Sequence, residues 1–156
     1  MARLTESHSA RDAAAGWFVE RVESLATADP VPGREIAMVE RTAPLGSMGP
    51  LHRRDEDETY RVLEGQVTFF VGADVVTAGP GDVVVASAGA PRTFRADSEA
   101  TRWLVLTRVS SLELFVDFGR AVAVPAAAAA EPPAIAAMAA ANGIELLGPP
   151  GALPTA

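Results

Sequence analysis

The 156-residue chain carries a net charge of −7 and contains no cysteine. These features exclude disulfides and thiolate metal sites and argue against nucleic acid or anionic membrane as partners. No run approaches the ~20 apolar residues of a membrane span, and Met1–Arg11 is polar and charged, unlike a secretory signal. A soluble cytoplasmic protein of one domain is therefore expected.

In chain order, residues 1–15 have weak apolar patterning and read as a loose or briefly helical arm. Short β-prone runs follow over Trp17–Val22, Glu35–Arg41, Thr59–Leu63, Gln66–Val71, Val75–Ala78, Val83–Ala86, Arg92–Ala96 and Arg102–Val109. Turn signals separate them at Pro30–Gly33, Glu64–Gly65, Gly72–Asp74, Gly79–Asp82, Gly89–Pro91 and Asp97–Ala100. Many short strands at such spacing predict an all-β sandwich or barrel over 16–109. The adjacent Phe69 and Phe70 break the alternation of their run, as in a strand covered on both faces. After Val109 the period becomes helical. Ser110 and Glu113 have capping-box spacing, with Leu112, Phe115 and Val116 on one face. A second helix begins near Pro132–Pro133, carries Ile135, Met138 and Ala139 on one side, and stops at Asn142–Gly143. Pro125 and Ala126–Ala130 read as a linker within this helical extension, 110–147. The proline-rich 148–156 reads as a disordered or surface-draped tail.

The chemistry is concentrated in Gly49-Pro-Leu-His52-Arg-Arg54-Asp-Glu-Asp-Glu58-Thr-Tyr-Arg-Val-Leu-Glu-Gly65. This stretch resembles the first cupin motif, in which two histidines and a glutamate precede a turn glycine. His52 occupies the first histidine position and Arg54 the second, and Glu58 stands at the motif's distance from Gly65. Pro80-Gly-Asp-Val-Val-Val-Ala-Ser-Ala-Gly-Ala-Pro91-Arg92-Thr-Phe94 resembles the second motif, with Arg92 at its histidine position. The resemblance spans about residues 17–108. The ending Pro132–Pro150 is similar to the tail of monocupins related to quercetin 2,3-dioxygenase. The implied fold is a cupin double-stranded β-helix, or jelly roll, with a C-terminal helical extension.

Metal-binding cupins are implied to present three imidazoles and one carboxylate to a point inside the barrel. Two of those four positions are Arg here, and a guanidinium has no lone pair to offer a metal. His52 and Glu58 alone are too few for a tight first-row site. The only other histidine, His8, lies in the arm. No cofactor and no metal are therefore expected, although a supplementary role for His8 stays open.

By the resemblance, His52, Arg54, Glu58 and Arg92 share the pocket, with Tyr60 and Phe94 nearby by strand alternation. Arg54 and Arg92 suit a carboxylate, phenolate or enolate, with His52 as base and Glu58 as its orienting partner. The leading expectation is a non-redox isomerase, cyclase or lyase acting on a small anionic or enolisable molecule, as in tailoring of a secondary metabolite. A non-catalytic small-molecule binder is the alternative, and a quercetin-dioxygenase-like oxygenase with an irregular metal site is the third reading. Arg54 and Arg92 could equally neutralise Glu58 as a structural cluster. Asp55-Glu-Asp57 reads as a solvated loop, and Trp17 and Trp103 as packing residues. Unpaired strand edges and an arm able to complete a neighbour's sheet suggest a homodimer.

Overall fold

The computed structural model describes residues 4–9, 19–25, 35–111, 113–115, 117–118 and 132–155, and side chains from residue 35 onward. Its strands are β1 Leu4–Ser9, β2 Val19–Leu25, β3 Glu35–Ala43, β4 Pro50–Arg54, β5 Glu58–Glu64 and β6 Val67–Val71. They continue with β7 Asp74–Ala78, β8 Val83–Ala86, β9 Arg92–Ala96, β10 Thr101–Val109 and β11 Ile144–Pro150, with helix α1 over Pro132–Ala141 before the last. A six-stranded sheet runs β1-β2-β3-β10-β5-β8 and a five-stranded sheet runs β11-β4-β9-β6-β7. All pairings are antiparallel. From β3 to β10 the chain passes from sheet to sheet, pausing only at the β6–β7 hairpin. This is the jelly-roll barrel.

Period-2 alternation builds the core. Along β10, Trp103, Val105, Thr107 and Val109 are buried while the residues between them are more exposed. They meet Ala37 and Val39 of β3, Tyr60 and Val62 of β5, and Phe69 of β6. Phe70 is buried as well, with the Arg95 guanidinium 5.8 Å from its ring centroid on the opposite face of β6. The double-sided cover expected for this strand is thus present. Gly65 holds a φ of 71° in the turn after β5, and a Cβ there would collide with the Ala100 carbonyl.

Several expectations are corrected. Residues 4–9 are not a loose or helical arm but strand β1, hydrogen-bonded to β2 of the same chain. The capping hydroxyl of the short helical turn at 113–115 belongs to Ser111, which accepts from the Leu114 N–H at 3.3 Å, and not to Ser110. Phe115 is buried beneath that segment, whereas Leu112 and Val116 lie outside the described residues. Helix α1 matches its expected span, and Ala139 packs with Phe118 and Ile144 while Ile135 and Met138 flank them. The helical extension does not reach 147, nor does the tail begin at 148: 144–150 form a strand paired with β4, with Ile144 opposite Arg54 and Leu146 opposite His52. Prolines are tolerated there because β11 is an edge strand, with one side free of ladder bonds. Trp17, the Pro30–Gly33 turn and the Pro125–Ala130 linker fall outside the described residues.

Candidate functional site

Three strands deliver the pocket side chains to the barrel interior: β4 carries His52 and Arg54, β5 carries Glu58 and Tyr60, and β9 carries Arg92 and Phe94. Each pair is spaced by two residues, so both members face the same side of their sheet. His52 and Arg92 lie opposite one another in the β4–β9 pairing. Glu58, Arg54 and Arg92 are almost wholly buried, at 4%, 2% and 1% exposure.

Glu58 is the hub. Arg54 Nη1 donates to its Oε1 at 3.2 Å, and Arg92 Nη1 donates to its Oε2 at 3.1 Å. The Tyr60 hydroxyl donates to the same Oε2 at 2.7 Å, and its ring stacks on Phe69 with centroids 4.6 Å apart. His52 Nε2 stands 3.8 Å from Glu58 Oε2. Burial works to raise the Glu58 pKa. The neighbouring His52 ring and the guanidinium charges of Arg54 and Arg92 outweigh it, holding the carboxyl well below the usual range. Burial and the Glu58 charge push the Tyr60 phenol well up, so it stays a hydrogen-bond donor.

The two guanidiniums are held differently. Arg92 also donates from Nε to Ala90 O at 3.1 Å, from Nη1 to Ala86 O at 3.2 Å and from Nη2 to Ser87 O at 2.6 Å. It is clamped by the backbone between β8 and β9. Arg54 has one further acceptor, the Arg108 carbonyl at 3.2 Å from Nη2, and its buried Nε has none among the described residues. The Phe115 ring lies against the Arg54 guanidinium, 5.4 Å from centroid to Cζ.

His52 is the member of the set that reaches solvent, its side chain 17% exposed. Its Nδ1 lies 3.0 Å from Pro50 O. A carbonyl only accepts, so Nδ1 carries the proton and a neutral ring keeps its lone pair on Nε2. Phe94 belongs to the apolar core, edge-on to Trp103 at a centroid distance of 4.8 Å. The Phe115 cap and the carbonyls of Ala86, Ser87, Ala90 and Arg108 were not legible as site groups. Backbone acceptors leave no residue-type signal, and Phe115 reads only as a helix-face apolar residue. Asp57 is more than a solvated loop residue: its carboxylate accepts from the Ala88 N–H at 2.7 Å, bracing the β8–β9 turn.

Within the barrel, residues 38–107 match the family described as Cupin domain. Solved structures with this fold include the polyketide cyclase RemF from Streptomyces resistomycificus. The two are 18% identical, with a TM-score of 0.50, covering 69% of this chain and 79% of that one. KdgF from Halomonas sp. is 17% identical with a TM-score of 0.50, covering 67% and 86%. The Lactobacillus farciminis oxalate decarboxylase is 15% identical with a TM-score of 0.53, covering 70% of this chain and 32% of that one. These likenesses establish the fold. Comparison with curated protein sequences gives no match. No helix among the described residues is long and apolar enough to cross a membrane.

The donor set does not fit the metal that many cupins hold. Among the described residues no three His, Cys, Asp or Glu side chains converge on one point. Both Glu58 oxygens already accept from cations, and a dication beside them would face two fixed guanidiniums. His8 lies on β1 opposite Val22; its side chain is outside the described set.

Proposed function

We propose that this chain is a metal-independent cupin that acts on a small organic anion, or on a molecule able to become one, by proton transfer. The observation that carries this reading is the occupation of the Glu58 carboxylate by Arg54, Arg92 and Tyr60. Arg54, Arg92 and Glu58 together leave one net positive charge inside the barrel. That is the balance a dication with one carboxylate and neutral imidazoles would give, now carried by fixed N–H donors. Such donors stabilise an enolate or phenolate as it forms, because they need no reorganisation in a site shielded from water. His52 supplies the base: Pro50 O holds its tautomer, and Nε2 keeps a lone pair beside Glu58 on a side chain that is partly exposed. Glu58 orients the guanidiniums and stabilises His52 once it has taken the proton. Isomerisation or cyclisation of an enolisable substrate fits this set, and in RemF the same fold serves a polyketide cyclase.

A second reading, a non-catalytic binder, is favoured by one feature. Arg92 is so fully engaged by Glu58 and three backbone carbonyls that it acts as a strut and leaves little for a ligand. Turnover lost in His52→Gln with ligand binding retained identifies the enzyme, and binding without turnover in the parent protein identifies the binder. Elemental analysis of protein purified without a polyhistidine tag tests the shared premise. Less than a tenth of an equivalent of Fe, Mn, Ni, Cu or Zn is expected; one equivalent surviving dialysis refutes it.

A further inference from the structure

Asn142 is the only asparagine in the chain, and a glycine follows it. Its side chain is buried where helix α1 ends. Nδ2 donates to Met138 O at 2.8 Å and to Leu114 O at 3.1 Å. The first bond satisfies a carbonyl of the last helical turn, left over because the Asn142 backbone N–H goes to Ala139 O. The second reaches across to the short turn at 113–115. Two carbonyl acceptors fix which end of the amide is nitrogen, and the buried Oδ1 has no donor among the described residues.

Through Leu114 this amide is tied to the barrel site. The next residue, Phe115, is buried and lies against the Arg54 guanidinium. Asn142 is thus a clamp between α1 and the turn that carries the cover of Arg54. The clamp stands apart from the main core: Phe118, Ala139 and Ile144 form a small apolar cluster of their own, separate from the one around Phe69 and Trp103. Beyond α1, β11 is held by its pairing with β4 at a sheet edge. An extension with so small a core opens at a lower free energy than the barrel unfolds.

Asparagine before glycine is chemically labile, because the unhindered glycine nitrogen can attack the side-chain amide carbon. Here the Gly143 nitrogen bonds to Asn142 Cγ, ammonia leaves, and water opens the resulting succinimide to aspartate or isoaspartate. The folded extension opposes this in three ways. Nδ2 is held by two carbonyls, and the Gly143 N–H donates to Ala140 O at 3.0 Å. The Asp55 carboxylate lies so close to Gly143 that a Cβ there would collide with it, and a negative charge beside the attacking N–H disfavours its deprotonation. Opening removes all three restraints. The acid cannot rebuild the clamp, since it brings charge and no N–H to a buried place facing two carbonyl oxygens.

We propose that Asn142–Gly143 is a modification site, a self-deamidating switch. Opening of the α1–β11 extension lets Asn142 convert, and the acid so formed releases the turn that holds Phe115 over Arg54. This chemistry is independent of what the barrel binds.

The test is incubation of the full chain in mildly alkaline buffer, with and without urea, followed by intact mass. Gln66 is the only other side-chain amide, and cleavage at arginine isolates Asn142 in the peptide 121–156. Conversion to aspartate and isoaspartate at 142 is expected in native buffer, at least ~10-fold slower than in urea. The slowing should still be far smaller than the global unfolding constant measured on the same protein. Asn142→Asp, the product itself, is expected to keep the barrel folded, with β5 and β10 amides protected, and to raise amide exchange at 113–115 by at least ~10-fold. Native conversion as fast as in urea, or slowed by the full global constant, overturns the proposal. So does an Asn142→Asp protein that fails to fold or exchanges at 113–115 like the parent.

Discussion

Arg54 and Glu58 meet at 3.2 Å across the turn from β4 to β5, so that one guanidinium and one carboxylate tie together the two sheets of the barrel. Arg92 grips the other carboxylate oxygen from β9. The pair is therefore part of the barrel's closure as well as of its pocket, which gives its removal a stability consequence.

Glu58→Ala leaves two buried guanidiniums without their shared counter-charge and should destabilise the protein by ~3–5 kcal/mol, the scale for breaking buried pairs. Glu58→Gln keeps the shape and part of the hydrogen bonding and should cost less. Urea unfolding of both variants measures this, and a loss below ~1 kcal/mol for Glu58→Ala would be the behaviour of a surface pair.

The same residue sets an acid limb. Its folded pKa lies below the unfolded value, so its contribution is complete above the ordinary glutamate range, ~4.3, and is lost as pH falls through the folded pKa. Stability measured by urea at a series of pH values should decline below that range, and Glu58→Gln should decline less steeply. Parallel curves for the two proteins would show that Glu58 does not titrate differently on folding.

The double change Arg54→His plus Arg92→His should create a metal site. Imidazoles at these positions would join His52 and Glu58, supplying three nitrogens and a carboxylate while removing the two cations that oppose a dication. Added Zn²⁺ or Ni²⁺ is expected to raise the melting temperature of the double variant and to leave the parent unchanged. Each single variant should bind far more weakly, because one guanidinium stays in place. A folded double variant that gains nothing from metal would break the assignment of positions 54 and 92.

A homodimer is expected by light scattering at tens of micromolar. Strand β1 pairs with β2 of its own chain and stands at the edge of its sheet. The exposed apolar edge is the expected contact: Val83 and Val85 on β8 and Val75 on β7 are each more than half exposed, on edge strands of the two sheets. An antiparallel pairing of β8 with its copy about a two-fold axis would cover them. Val85→Lys should then give the monomer mass, and a monomeric parent protein would refute the idea.

The sequence by itself determined the barrel. Eight strands, β2, β3 and β5 to β10, were legible because half-buried strands alternate apolar and polar residues and are bounded by turn-forming residues, and both signals are local. The cupin motifs also placed His52, Arg54, Glu58 and Arg92 near one another, and the two arginines already spoke against a three-histidine metal site. Strand β4 went unmarked because Pro50-Leu-His-Arg-Arg54 buries the charged Arg54, and the run reads as loop until the Glu58 partner and the pairing of His52 with Arg92 are known. Strand β11 went unmarked because its prolines are acceptable only at a sheet edge, and edges are defined by tertiary pairing. The unequal state of the two guanidiniums was beyond sequence altogether. Arg92 is saturated by carbonyls of Ala86, Ser87 and Ala90, while Arg54 keeps a bare Nε under Phe115. Every residue carries the same backbone carbonyl, so only the fold decides which arginine finds one.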